Sequence, residues 1–452
     1  MSLLISRCNL IDGVAPRPLE GRSILIEGQR IRHIGHHSEF STTGVDTVID
    51  APGKYVIPGI MDTNVHLASP MFLEEFARYE GRYEDLITEA AQVALRNGVT
   101  TLFDTWGPRR ALISVRDKIN RGELRGSRIL CAGNIIGLDG PFSENFFPHL
   151  VNAVSTTLLE RINSQFAETV GAELTWMPPE QVAERVRAYT ASGIDFIKYA
   201  SSEHRVPSGA SAYLTFSAES QAAIVQEAHR GGLTAQAHTT SVEGLRVAVE
   251  AGCDVIQHCN LTGPVPIPDS TLELLAKREA SCTVLPFTMR RQRRIQEGGS
   301  TLVRRMYSKE SMDTNVRNLV RSGVPLLLAT DSIYFSDAVL SDASMALMVQ
   351  GEDNLYDLGS GHFHWFTAMS EMGMSSMDAL RAATQNIARA FRLEKDLGTI
   401  EPGKLADMLV LDRNPLDSPS NYQSIHAIVK DGMLVDRSTM PEIPVLRAPN
   451  RL

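Results

Sequence analysis

The sequence has few cysteines, no long apolar run and no excess of basic residues, and each of these shortages argues against a class of protein. Its five cysteines among 452 residues form no C-x-x-C pair, so neither a zinc knuckle nor a disulfide framework is expected. No run of 18 apolar residues occurs, so no membrane-spanning helix is expected. The formal net charge is −9, which argues against nucleic-acid binding.

These shortages also indicate a compartment and a kind of partner. Cys131, Cys253, Cys259 and Cys282 lie in apolar runs, and we expect them to be small buried side chains. The N-terminal segment lacks a signal-peptide pattern, so we expect a cytoplasmic protein. The longest basic cluster, Arg290–Arg294, is short and is interpreted as a solvated loop. The partners expected are a small-molecule substrate and further copies of the chain, with neither nucleic acid nor membrane.

Both ends of the chain alternate apolar and polar residues between glycine and aspartate turns. The segments "RSILIEGQRIRHIG" near the start and "HAIVKDGMLVD" near the end are examples. Such alternation is typical of short strands with one buried face. We therefore predict one small composite β-sandwich domain formed by residues 1–58 and 395–452.

Between these ends, eight apolar strand-like runs alternate with amphipathic helical segments. This alternation predicts an α/β fold of the (β/α)8 TIM barrel type over residues 59–394. One helix is predicted to begin with a capping box of Thr240 and Glu243 and to end at Gly252. In such a barrel the catalytic residues stand at the C-terminal ends of the strands.

Histidines recur at the predicted C-terminal ends of three strands. Asn64 and His66 are two residues apart on strand one, so both point to the same face. One strand–helix–strand unit separates His238 from His258, which places them on adjacent strands at one height. Each histidine alone is compatible with a hydrogen-bonded core residue. Together they favour a metal site, because neutral imidazole is a good ligand for a divalent metal.

Two charged residues end further apolar strands. Lys198 in "GIDFIKYA" would be costly to bury unless it were paired or modified, although a lysine that reaches the barrel rim is an alternative. Asp331 in "LLLATDS" would be equally costly as an isolated carboxylate. Its position becomes reasonable beside a metal or a water that the metal binds.

Six segments of the sequence together resemble the metal-dependent amidohydrolase superfamily. They are "PGIMDTNVH", "GVTTLFD", "GIDFIKYA", "AQAHTTSVEGLRVAVEAGCDVIQHC", "LLLATDS" and "ATQNIARAFRLEKDLGTIEPGKLADMLVLDRNPL". The resemblance spans nearly the whole chain and implies a barrel with a β-sandwich made from both termini. It also implies that Lys198 reacts with carbon dioxide to form a carbamate, which ligates metal with His238 and His258. Asp331 is implied to be a metal ligand or a proton shuttle.

The chain departs from the superfamily at Asn64, where a histidine is usual. An amide oxygen is a weaker ligand than imidazole, so we expect about one tightly held divalent metal per chain, whether zinc, cobalt or manganese. The motif order is similar to that of Xaa-Pro dipeptidase-like carboxypeptidases. The Asn-X-His variant resembles the phenylurea hydrolase and molinate hydrolase group, whose enzymes cleave urea or thiocarbamate bonds in herbicides. Whether His66 and Asp331 ligate metal stays open.

These patterns predict a mononuclear metal hydrolase that cleaves a urea, thiocarbamate, carbamate or amide bond of a small apolar substrate. The metal is expected to activate water, with Asp331 accepting the proton and His66 binding the substrate carbonyl or the water. Aromatic residues in the loops after strands three and eight are expected to line the substrate pocket. They are Phe142, Phe146, Phe147, Trp176 and Trp365.

Three alternative functions remain open at this point. A dipeptidase on the same barrel would need a cation for the substrate carboxylate, for which His204 or Arg205 is available. A deaminase usually lacks the carbamate lysine. A ligand-binding barrel without catalysis is the third alternative, because Asn64 weakens the usual metal site.

Overall fold

The computed structural model describes residues 1–68, 73–145, 154–203, 212–299, 304, 307–333 and 351–442. In chain order its strands are β1 Ser2–Leu10, β2 Leu19–Glu27, β3 Arg30–His36, β4 Thr47–Asp50, β5 Tyr55–Pro58, β6 Ile60–His66, β7 Val99–Asp104, β8 Arg128–Cys131, β9 Ile135–Ile136, β10 Ile197–Ala200, β11 Ala235–His238, β12 Val255–Gln257, β13 Ser281–Val284, β14 Leu326–Leu328, β15 Ser332–Ile333, β16 Met408–Leu411, β17 Ile425–Lys430 and β18 Met433–Leu434.

The α-helices of the described residues lie mainly between the strands of the middle of the chain. They are α1 Leu73–Arg78, α2 Tyr83–Arg96, α3 Arg109–Asn120, α4 Thr156–Ala167, α5 Pro179–Thr190, α6 Ala218–Arg230, α7 Val242–Glu250, α8 Asp269–Arg278, α9 Met289–Gly298, α10 Lys309–Ser322, α11 Gly361–Glu371, α12 Ser376–Ala382 and α13 Gln385–Ala390. Within the described ranges, none of these helices combines the length and the apolar character that crossing a bilayer requires.

Strands from both ends of the chain form one eight-stranded sheet. Its order is β18-β17-β16-β5-β1-β2-β3, with β4 beside β1. The two ends meet where β5 pairs antiparallel with β16, so that Pro58 lies opposite Met408. A hydrophobic cluster with members from both ends, among them Ile24 and Val410, packs on this sheet. Because β6 begins two residues after β5 ends, this sheet leads directly into β6, the first strand that carries site residues.

The middle of the chain forms two sheets of parallel strands. One has the order β15-β6-β7-β8, and the other has the order β14-β13-β12-β11-β10-β9. Hydrogen bonds join β14 and the residues after it to β6, the first strand of the other parallel sheet in chain order. The Thr63 hydroxyl donates to the Leu328 carbonyl at 2.6 Å, and the Asp331 amide donates to the Asn64 carbonyl at 2.8 Å. This α/β arrangement with parallel sheets is consistent with a TIM barrel.

The helices cover the parallel sheets with apolar faces. In α2 the buried residues Leu86, Ile87, Ala90 and Ala94 recur every three or four positions, which makes one continuous stripe. Burying a leucine or isoleucine side chain stabilises the fold by about 1.5–3 kcal/mol. All five cysteines are free and buried, which confirms the prediction made for four of them.

Thr240 and Glu243 do not form the predicted capping box. Helix α7 begins after Ser241, whose side chain accepts a hydrogen bond from the Gly244 amide at 3.0 Å. The Thr240 hydroxyl instead donates to the Glu203 carbonyl at 3.0 Å, so it is used by the neighbouring loop. Gly252 follows the helix with a φ of 86°, as its predicted role at the helix end requires.

The prediction of a solvated loop at Arg290–Arg294 is also wrong, because these residues lie within α9. Arg291 is 1% exposed, and its guanidinium lies 4.9 Å from the centre of the Phe287 ring. Arg294 forms an ion pair with Asp353. The cation–π contact of Arg291 and the ion pair of Arg294 therefore stabilise positive charges that the sequence pattern predicted to be solvated.

Candidate active site

The parallel strands bring three of the predicted site residues together near the C-terminal ends of β10, β11 and β12. His238 in β11 lies opposite Ala200 in β10 on one side and opposite Gln257 in β12 on the other. His258 directly follows Gln257, so the two histidines stand next to each other with ring centres 4.6 Å apart. Lys198 lies in β10, two residues before Ala200, and its side chain therefore points to the same face of the sheet as that of Ala200.

The backbone is strained at two of the predicted residues. His258 has a φ of 39° and Asp331 has a φ of 55°, a region that residues with a side chain rarely adopt. Such conformations cost about 1–3 kcal/mol and cluster at functional sites. Hydrogen bonds hold both: the His258 amide donates to the Thr283 hydroxyl at 2.7 Å, and the Asp331 amide donates to the Asn64 carbonyl at 2.8 Å.

The His258 ring is held in the form that suits a metal ligand. Its Nδ1 donates to the carbonyl of Thr239 at 2.8 Å, because a carbonyl oxygen can only accept. Nε2 therefore keeps its lone pair. Burial lowers the pKa of His258 to about 4, so the ring is neutral at neutral pH. A carbonyl behind the ring is the usual way in which a metal-binding histidine is oriented.

Lys198 is 2% exposed and is surrounded by polar partners. Its Nζ donates to the Thr105 hydroxyl at 3.0 Å and makes a longer contact of 3.5 Å with Oδ1 of Asn64. Burial lowers the pKa of Lys198 to about 8, against the opposing influence of Asp331 and Asp104. A substantial fraction of the amine is therefore neutral near pH 8.

His66 and Asp331 form a pair on the other side of the site. Nε2 of His66 lies 3.1 Å from Oδ1 of Asp331, and the ring meets Trp106 edge-on with centres 6.1 Å apart. Burial alone would raise the pKa of Asp331. The hydrogen bond from His66, together with the nearby His258 and Lys198, holds that pKa well below its usual range. Asp331 is therefore an ionised acceptor at neutral pH.

Sequence reasoning missed two polar residues at the end of β7, namely Asp104, its last residue, and Thr105, which follows it. Asp104 is buried and accepts from the amides of Leu67 at 2.8 Å and Trp106 at 3.1 Å, which fixes the loops around His66. Burial raises the pKa of Asp104 to about 8. The signal was present in "TTLFDTW", where polar residues end an apolar strand as they do elsewhere in the site.

Asp62 is a further buried carboxylate that positions the site. It accepts from the Thr330 hydroxyl at 2.6 Å and from the Thr330 amide at 3.1 Å. Burial raises the pKa of Asp62 to about 7. Because Thr330 directly precedes Asp331, these hydrogen bonds connect the strained backbone at Asp331 to β6, the strand that contains Asp62.

The predicted pocket aromatics lie in different surroundings. Phe142 is 1% exposed and meets Phe76 edge-on, whereas Trp176 is 90% exposed; both line one cavity of about 800 Å³. Trp365 is fully buried in the core, where its Nε1 donates to the Val284 carbonyl at 3.1 Å. The remaining predicted residues of the pocket and of the dipeptidase alternative lie outside the described residues; they are Phe146, Phe147, His204 and Arg205.

The residues present fit a divalent metal only if Lys198 changes its chemistry. Within the described ranges, no three His, Cys, Asp or Glu side chains form a group that could hold a metal ion. A protonated ammonium has no lone pair with which to bind a metal, but a carbamate on Lys198 would add oxygen donors to His238 and His258. The buried Nδ2 of Asn64, which has no hydrogen-bond partner in the described chain, indicates that an acceptor belongs here.

Comparison with known proteins gives similarity over almost the whole length. The amidohydrolase family profile matches residues 55–436. The crystal structure of phenylurea hydrolase B is 35% identical, with 99% of each chain covered and a TM-score of 0.93. The structure of molinate hydrolase is 34% identical, covering 98% of this chain and 97% of its own, with a TM-score of 0.91.

A curated relative carries a different activity in its name. Imidazolonepropionase from Anaeromyxobacter sp. (strain K) is 25% identical over 93% of this chain and 91% of its own length. The identity to phenylurea hydrolase B and molinate hydrolase is higher, and it confirms the resemblance inferred from the Asn-X-His variant.

Proposed function

Because the chain belongs to the amidohydrolase family, we propose that it is a mononuclear metal-dependent hydrolase that cleaves urea, thiocarbamate, carbamate or amide bonds in small apolar substrates. That it is a hydrolase follows from the family. The narrower substrate class is supported by its similarity to phenylurea hydrolase B and molinate hydrolase.

The observation that carries the proposal is that Lys198 and His238 face the same side of two adjacent strands, two positions apart in register, with the His258 ring 4.6 Å from the His238 ring. We assign one divalent metal ion, whether zinc, cobalt or manganese, to the two histidines and a carbamate that Lys198 forms with carbon dioxide. The metal supplies a Lewis acid that makes water nucleophilic at neutral pH. Neutral His258 suits this assignment, since a protonated ring could not ligate.

We assign proton transfer to Asp331 and a supporting role to His66. Asp331 is ionised and partly accessible, with 28% of its side chain exposed, so it can accept a proton from attacking water. It then passes the proton to the leaving nitrogen or sulfur. His66, at 3.1 Å, orients the carboxylate and offers a hydrogen bond to the substrate carbonyl.

The proposal extends to architecture and assembly. We propose that the two parallel sheets close into a (β/α)8 barrel over residues 59–394, and that residues 1–58 and 395–452 form a composite β-sandwich domain. The bond between the Thr63 hydroxyl and the Leu328 carbonyl supports the closure. The free buried cysteines support a reducing, cytoplasmic location. A homo-oligomer is proposed as well, to be tested by light scattering.

A substrate screen with metal analysis tests this function. Purified protein would be assayed with a phenylurea, a thiocarbamate and an N-acyl-proline substrate, while the bound metal is measured after desalting. We expect hydrolysis of the phenylurea or the thiocarbamate and about one metal per chain. Turnover of the N-acyl-proline substrate alone would favour a dipeptidase. Absence of both metal and turnover would favour a ligand-binding barrel.

A further inference from the structure

Thr105, Asn64 and Lys198 form a closed set of hydrogen bonds at the centre of the site. The Thr105 hydroxyl donates to Oδ1 of Asn64 at 2.5 Å and accepts from Nζ of Lys198 at 3.0 Å. Nζ lies 3.5 Å from the same Asn64 oxygen. All three side chains are 2% exposed or less, so solvent cannot replace any of these contacts.

Only half of the Asn64 carboxamide is used in this arrangement. Oδ1 accepts from two donors, whereas the buried Nδ2 has no hydrogen-bond partner in the described chain. A buried N–H without an acceptor is costly and rare in folded proteins. The site is therefore short of one acceptor next to an amine that presents only donors.

We propose that Thr105 and Asn64 form a hydrogen-bonding cradle that holds Lys198 both as an amine and as a carbamate, with Thr105 as the positioning residue for carbamate formation. The inference rests on the proposed function in one respect, the carbamate itself. A hydroxyl and a carboxamide can each donate and accept. Carbamate oxygens only accept, so the Thr105 hydroxyl and Nδ2 of Asn64 become the donors once the carbamate has formed.

The covalent step is balanced without any oxidant or reductant. The lone pair of the neutral Lys198 amine forms a bond to the carbon of carbon dioxide, and one C–O electron pair moves onto oxygen. The nitrogen then loses one proton to solvent, which leaves an N-carboxylate with a single negative charge. Burial disfavours that charge, so two hydrogen-bond donors at this position favour the product.

This role for Asn64 differs from that of a weakened metal ligand. A negative charge on the side chain at position 64 would strengthen a metal ligand. The same change would remove the N–H group that donates to the carbamate. Asn64→Asp keeps the shape of the side chain but replaces the N–H donor with an acceptor. A ligand role predicts that Asn64→Asp binds more metal, and the cradle predicts that it binds less, because less carbamate forms.

The test measures the carbamate directly in full-length, zinc-loaded protein. Wild type, Thr105→Val, Thr105→Ser and Asn64→Asp would be titrated with 13C-labelled bicarbonate, and the carbamate 13C signal and the zinc content per chain would be recorded. Thr101→Val is the matched control. Thr101 lies on the same strand β7 and is fully buried, and its hydroxyl has no hydrogen-bond partner in the described chain.

We expect Thr105→Val and Asn64→Asp to need roughly 10–100-fold more bicarbonate for half of the carbamate signal, the usual effect of losing a group that orients a metal ligand. Thr105→Ser and Thr101→Val should match wild type. Wild-type half-saturation in both Thr105→Val and Asn64→Asp would overturn the cradle and leave the Lys198 carbamate intact. A wild-type protein without any carbamate signal would overturn both. If Thr105→Val does not fold, Asn64→Asp alone decides.

Discussion

On one side of the site lie Lys198 in β10, His238 in β11 and His258 directly after β12, which are between 2% and 5% exposed. On the other side, His66 and Asp331 have side chains that are 12% and 28% exposed. The first group is buried, and the hydrogen bond from Nδ1 of His258 to the Thr239 carbonyl leaves the lone pair on Nε2 of that ring. The second group is paired within itself at 3.1 Å and reaches solvent.

This difference suggests how the two sides divide the chemistry. A divalent metal is held best where its ligands cannot exchange with water, so the buried group suits binding. A proton acceptor must meet both the attacking water and the leaving group, so the accessible pair suits transfer. Under the proposed function the buried side holds the metal and the accessible side transfers the proton.

Replacing Lys198 should have the largest effect, because the buried side loses its oxygen donors. We expect Lys198→Ala to lose its metal and to fall to background turnover, since metal catalysis supplies several kcal/mol and each ~1.4 kcal/mol is tenfold in rate. Bicarbonate with a short carboxylic acid should restore part of both. Metal content by mass spectrometry and turnover are the measurements.

Lys198→Arg is the matched control for this experiment. A guanidinium keeps the positive charge but cannot form a carbamate. An active Lys198→Arg enzyme would show that Lys198 acts only as a buried cation, and the buried side would no longer be the metal-binding side.

Asp331→Asn tests the accessible side in the same manner. The substitution keeps the shape and removes the base, so kcat should fall by about 10²–10⁴-fold while the metal content stays near normal. Metal content and single-turnover rates would be measured on the same preparation. Loss of metal together with activity would make Asp331 a ligand first. Full activity would direct the search for the base to His66.

How far these features could be predicted differs between backbone and side chains. Eight apolar runs predicted the parallel strands, because buried strands must be apolar. The end of the eighth predicted barrel strand was misplaced: β14 covers only Leu326–Leu328, and Asp331 itself has a left-handed backbone conformation. A φ angle imposed by tertiary hydrogen bonds leaves no local pattern in the sequence.

Lys198 was found because a charged residue inside an apolar strand is an anomaly that asks for a partner. Thr105 was missed because threonine is an ordinary strand residue. Its two partners lie 41 and 93 positions away along the chain, so only the folded structure brings them together. Residues that act through another side chain are therefore the hardest to predict from sequence.

The burial of His258 should also affect how the stability of the metal-free protein depends on pH. The pKa of His258 falls from 6.5 to about 4 on folding, chiefly through burial. Between these values the unfolded chain binds more protons, so the free energy of unfolding decreases as the pH falls from 6.5 to 4. Relative to His258→Gln, the metal-free wild type should lose about 1.4 kcal/mol per pH unit in this window.

Urea unfolding of both metal-free proteins from pH 4 to pH 7.5 measures this difference. Comparison with the variant is necessary because buried Asp62 and Asp104, with raised pKa values, change stability in the opposite direction. Their contributions are common to both proteins and largely cancel. A difference that does not change with pH would mean that His258 is solvated, and the contrast in burial between the two sides would fail.

The smallest effect on turnover is expected from Asn64→His. This substitution should enable the side that contains His66 and Asp331 to bind metal as well. The introduced imidazole, with His66 and Asp331, offers three ligands, so metal occupancy after desalting should rise from about one to about two per chain. Turnover should change less than about tenfold when bicarbonate is in excess. Excess bicarbonate then drives formation of the Lys198 carbamate even without the hydrogen bond that Asn64 gives to it. Unchanged occupancy would show that geometry, and not the ligand at position 64, sets the metal count. Two metals already present in the wild type would remove the distinction between the two sides altogether.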